Sequence, residues 1–177
     1  AVWKNDFDRF LKDRSQIIAD ELNYLIDRPL IDPQPIELSI SGGQVDVLEI
    51  KLRDFIDHRL AAIVGESYWK DVGPSDINDK VKERIADDIS HNPFKTHAEY
   101  SNGRKKLDFC DVGHYEKIIL KNWSLFQEYF LRKDDFMRHL SAFRNIRNCI
   151  QHNRQPSDID QHNGEAAFLW LGRILDK

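Results

Sequence analysis

The chain has 177 residues, 32% of them charged and 41% hydrophobic, with a formal net charge of -4. That length suits one domain of ordinary size with a real core. Eight glycines and six prolines are too few for a many-turned all-β fold, and the acidic balance argues against a broad basic nucleic-acid-binding face, so any contact with RNA has to be local. The expectation is an all-α protein.

In chain order, apolar residues at Phe7, Phe10, Leu11, Ile17, Ile18, Leu22 and Leu25 predict a helix over about 3–26. Residues 27–43 carry three of the six prolines and Gly42-Gly43, and read as a linker with a short extended piece at Ile36 to Ile40. Residues 1–43 are thus expected to be an N-terminal helical arm and linker, and 44–177 the compact helical domain. Val45, Leu48, Leu52, Phe55, Ile56, Leu60 and Ile63 mark one face of a helix that Gly65 ends. Pro74-Ser75-Asp76 opens a helix reaching about Ser90. Residues 91–110 are polar and read as an irregular, mobile loop, with Arg104-Lys105-Lys106 as a solvated stretch. Asp111 caps a helix expected to run unbroken from Val112 to Leu131, with Tyr115, Trp123, Phe126 and Phe130 on a core face. After a break at Lys133-Asp134-Asp135, a further helix starts at Phe136. Pro156-Ser157-Asp158 starts the last, which reaches Leu175.

Cys110 and Cys149 suggest neither a disulfide framework nor a zinc knuckle, so a reducing cytoplasm is the default. No apolar run is long enough to span a membrane, and no partner membrane is expected. The start at Ala1 and the single Met137 read as a piece of a longer protein. No cofactor is implied, for there is no Gly-rich phosphate loop. His91, His97, Asp88 and Glu99 show no metal-ligand spacing, and no metal site is expected.

The chemistry concentrates in Arg147-Asn148-Cys149-Ile150-Gln151-His152. A guanidinium can hold a phosphate and an imidazole can move a proton near neutral pH. At about 100° per residue, Phe136, Leu140, Phe143 and Ile150 form an apolar stripe with Arg147 inside it. A charge there is costly unless it is paired or open to a cleft. Asn148 and His152, four apart, share a face, with Arg144 and Asn145 close to it. Arg147 and His152 are about 140° apart on a regular helix. They could converge if the helix frays near Asn153, or across a two-fold interface. The plainer reading is that an Arg, an Asn and a His at a helix end satisfy its terminal carbonyls.

Arg147-Asn148 with His152 matches a pattern of Arg, a polar residue, three residues and His. With it go Leu52-Arg53-Asp54-Phe55-Ile56, Tyr68-Trp69-Lys70 with Pro74, Leu107-Asp108-Phe109, Gly113-His114-Tyr115-Glu116-Lys117-Ile118-Ile119, and Asn122-Trp123 with Phe126. In this order, over residues 45 to 155, the set resembles the Swt-type branch of the HEPN superfamily. The resemblance implies a bundle of four to five core helices, to which residues 1–43 add an arm. It implies a homodimer with the motif in the cleft between subunits, and metal-independent RNA cleavage in toxin, phage-defence or RNA-processing systems. Arg147, Asn148 and His152 are the expected catalytic residues, with Arg144 and Arg154 as helpers in RNA binding. The alternatives are a non-catalytic HEPN module that binds a nucleotide, an RNA or a partner, and a dimerisation domain serving further domains of a parent protein.

Overall fold

A computed structural model describes residues 14–15 and 40–176. The chain divides into two compact units, residues 1–37 and 38–177. Arg14 and Ser15 are helical. The rest of the expected N-terminal helix, and the linker as far as residue 39, lie outside the described residues. The second unit holds the helical bundle.

Among the described residues there are helices and no strand. Helix α1, Gly42–Val64, starts with a capping box. Gln44 N–H donates to Ser41 Oγ, and Ser41 N–H donates back to Gln44 Oε1 at 2.9 Å. These bonds draw Gly42 and Gly43, expected as linker, into the helix. Ile40, at the end of the expected extended piece, is buried. At the other end Gly65, at φ +100°, donates to Ala61 O and stops the helix. Val45, Leu48, Leu52, Ile56 and Leu60 are buried in an i, i+3/i+4 stripe. That stripe makes α1 the central helix, packed against all four of the longer helices that come after α3.

Next come α2, Trp69–Val72, and α3, Ser75–His91. Residues 91–110 are not the irregular loop expected. A Thr96/Glu99 capping box starts a 3-10 turn at His97–Tyr100. Asn102 then caps α4, Gly103–Leu107, by accepting from Lys105 N–H at 2.8 Å. Gly103 is required there: a Cβ would stand 2.2 Å from Cζ of Tyr68. Arg104-Lys105-Lys106 is therefore part of a docked helix.

The single helix expected from Val112 to Leu131 is two. Helix α5 spans Val112–Lys121 and α6 spans Trp123–Phe130. Asn122 breaks it, with Nδ2 donating to Ile118 O at 2.8 Å and Val72 O at 3.3 Å. A local amide bond of this kind competes with helix continuation. Phe126 and Phe130 nonetheless face the core as expected.

Helix α7, Lys133–Gln151, begins three residues before Phe136, and α8 spans Asp158–Leu175. The reversal into α7 turns on Leu131, at φ 62° and ψ -53°, with Arg132 N–H donating to Phe130 O at 2.7 Å. This is a γ-turn of the rare, strained hand. Helices α7 and α8 lie antiparallel, with His139 stacked on Trp170 at 4.5 Å and Ile146 against Gly164. A Cβ at Gly164 would come within 2.6 Å of Ile146 Cβ, so the close approach depends on glycine.

Candidate active site

The motif closes α7. His152 is its C-cap, and Asn153 turns left-handed at φ 50°. Asn153 N–H donates to Ile150 O at 3.2 Å and Arg154 N–H to Cys149 O at 2.8 Å. This pair of bonds is a Schellman motif, with asparagine in the position usually held by glycine. The last turn is therefore held by backbone bonds. It does not fray to let His152 swing. Nor do motif side chains close the helix: those of Asn148 and His152 make no hydrogen bond among the described residues, and both are exposed.

Arg147 lies in the apolar stripe, as its position demanded. Phe136, Leu140, Phe143 and Ile146 are buried on α7. Its side chain, 21% exposed, is answered by Glu49 of α1, with Nε donating to Oε2 at 2.9 Å. Glu49 is itself only 7% exposed. The pairing removes the cost of burying either charge alone. It also uses only Nε, so the two terminal nitrogens keep their N–H groups free of hydrogen bonds among the described residues.

Behind this pair runs a seam of charge. Arg53 reaches Glu49 at 3.5 Å and Asp108 at 2.9 Å, and its Nε donates to Tyr115 Oη at 2.9 Å. Arg104 bridges Asp108 at 2.5 Å and Asp54 at 2.8 Å. Burial works against the charge on Arg53 and Arg104, yet their hydrogen-bonded partners hold both above the ordinary guanidinium pKa. The Tyr115 hydroxyl, whose titration burial pushes up, faces Leu107 O and Cys110 O at 3.1 Å each. Helices α1, α4, α5 and α7 are thereby tied around Arg147.

Sequence reasoning passed over Glu49, although a signal was there. It interrupts the apolar stripe of α1 between Leu48 and Leu52, as Arg147 interrupts that of α7. Two opposite charges, each on a core stripe, satisfy each other.

Comparison with protein-family models, with curated proteins and with solved structures returns no match.

The remaining expected residues are spread around this end of α7. Arg144, half-buried, points to Glu116 at 3.4 Å. Arg154, whose backbone N–H closes the Schellman turn, is exposed. Arg147 turns to Glu49 on α1, while His152 is the exposed C-cap after the last residue of α7, and no hydrogen bond joins the two side chains among the described residues. Cys149 is half-buried; Cys110 is buried, its thiol pushed up to about 12 by burial, which leaves it no thiolate for attack. Asp88, expected beside the loop histidines, instead collects Asn92, Lys95 and the Tyr100 hydroxyl. Among the described residues no three His, Cys, Asp or Glu side chains group as metal ligands, and no helix is long and apolar enough to cross a membrane.

Proposed function

We propose that this domain is a cytoplasmic, metal-independent endoribonuclease of the HEPN type, acting in a toxin, phage-defence or RNA-processing system. One observation carries the reading. Arg147 is held by its Nε against Glu49 with its terminal N–H groups unspent, and Asn148 beside it and His152 at the helix end stand exposed without competing partners. A guanidinium anchored in this way is pre-organised for a phosphate.

In the proposed reaction the ribose 2′-hydroxyl attacks the adjacent phosphorus. His152 takes the 2′ proton as general base, and the imidazolium so formed returns a proton to the departing 5′-oxygen as general acid. Arg147 stabilises charge on the non-bridging phosphorane oxygens. Asn148 orients the ring or a phosphate oxygen, and Arg144 and Arg154 help to seat the strand. The products are a 2′,3′-cyclic phosphate and a 5′-hydroxyl. The angle of about 140° between Arg147 and His152 makes a homodimer part of the proposal, with each protomer lending one group to a shared cleft. The same angle supports a second reading, a non-catalytic HEPN module that binds RNA, a nucleotide or a partner domain.

Incubation with single-stranded RNA in EDTA, with sedimentation of the same sample, tests this. Cleavage by the wild-type chain, its loss in His152→Ala with an unchanged melting temperature, and a dimeric mass are expected. Cleavage that requires a divalent metal, or that persists in His152→Ala, overturns the mechanism. RNA binding without cleavage selects the second reading.

A further inference from the structure

A cavity of about 390 Å³ opens beside the first turn of α5, lined by Lys80, Asp111, His114, Glu116, Lys117 and Arg144, among others. Its polar groups divide cleanly into spent and unspent. Asp111 Oδ1 accepts the His114 backbone N–H at 3.0 Å, and Oδ2 faces Arg84 at 3.4 Å. Glu116 receives Arg144 Nη1 at 3.4 Å, and Lys117 is paired with Asp76 at 2.5 Å. Both lining carboxylates are therefore engaged by donors. Lys80 has no ion-pair partner among the described residues, and Arg144 uses one nitrogen of three.

His114 supplies the most specific feature. It is 6% exposed, yet lies against the cavity. The Asp111 backbone N–H donates to its Nδ1 at 3.2 Å. Asp111 Oδ2 also lies 3.4 Å from that nitrogen. The backbone N–H makes the shorter contact, so Nδ1 is taken as an acceptor and the proton of the neutral ring sits on Nε2. Burial, the largest influence on this imidazole, holds its pKa below the usual histidine value and keeps it neutral. Nε2 has no partner among the described residues. No fully occluded side-chain nitrogen lacks a partner there, so Nε2 reaches solvent. The unspent groups are thus all N–H donors, two of them cationic, and an anion with several acceptor oxygens satisfies them together.

We propose that this cavity binds the phosphate of a small phosphate monoester, with His114 Nε2–H, Lys80 and Arg144 as its donors. The volume exceeds that of the phosphate and leaves room for the esterified group. The site uses neither Arg147 nor His152; it shares only Arg144, a helper in seating the strand, with the ribonuclease reading and does not rest on that reading.

The test is a titration of the whole chain with inorganic phosphate and with ribose 5-phosphate at constant ionic strength, followed through the histidine side-chain nitrogen resonances. A saturable shift of His114 in the millimolar range or below is expected, at least as tight for the ester. Lys80→Gln and Arg144→Gln should each weaken it by about tenfold, that is by about 1.4 kcal/mol, and leave the ligand-free spectrum otherwise unchanged. No saturable shift with either ligand, an equal shift with chloride, or unchanged affinity in both variants overturns the proposal. No RNA is present, so failure here leaves the cleavage mechanism standing, and failure of cleavage leaves this site standing.

Discussion

Helix α1 serves two regions built on opposite principles. Further along it, Phe55 joins an aromatic cluster with Phe126, Tyr129 and Phe130, and Phe130 in turn packs against Trp123, Phe136 and Trp170. Around Glu49 and Arg53, the same helix carries the charged seam to Arg147, Asp108 and Arg104. The aromatic cluster gains from area removed from water and has weak angular demands. The seam gains little net free energy over apolar packing, but it is satisfied in only one rotation of α7 about its axis. One region supplies stability, and the other fixes where the motif points.

The contrast is broken most severely at its aromatic pole. Phe130→Ala should cost about 3–5 kcal/mol, read as a fall in the denaturation midpoint; a loss below about 1 kcal/mol would show that the cluster does not hold the fold. Glu49→Ala leaves Arg147 and Arg53 without their shared carboxylate, and about 3 kcal/mol is expected. Glu49→Gln should recover part of that stability while still releasing Arg147, so RNA cleavage should fall further than the midpoint does. Gly164→Ala drives a methyl into Ile146 and should cost about 1–3 kcal/mol without touching either region. The smallest effect is in pH dependence. His114 titrates below its unfolded value in the native state, so the unfolded chain binds more protons in that window and stability rises with pH. Stability is full above the unfolded value, near 6.5, and is lost as the pH falls below it. His139, also held down by burial, has the same sign. His114→Gln should flatten part of the slope of unfolding free energy below about pH 6.5; an unchanged slope would remove His114 from the account.

Periodicity made the long elements legible. The stripes of α1 and α7 were readable, and so was the inward position of Arg147, because burial imposes a 3.6-residue rhythm. Local hydrogen bonding was not readable in the same way. Asn122 splits a run whose aromatic spacing continues across it, since its amide finds two carbonyls, one of them on α2. Capping by Thr96, Glu99 and Asn102 orders a stretch whose composition looks like loop. The Schellman turn at Asn153 depends on a left-handed residue that is not glycine. Glu49 was missed for another reason: a pair 98 positions apart along the chain appears only when both stripes are scanned for their interruptions.

The γ-turn at Leu131 has a mechanical consequence. Its side chain is 77% exposed, so packing does not impose the conformation; the tightness of the reversal does. With one residue making the corner, there is no slack for α7 to slide along its length. Its far tip is held at a set distance from α6, like the end of a short rigid boom. Arg147, Asn148 and His152, at that tip, therefore keep a fixed height along the axis of the helix.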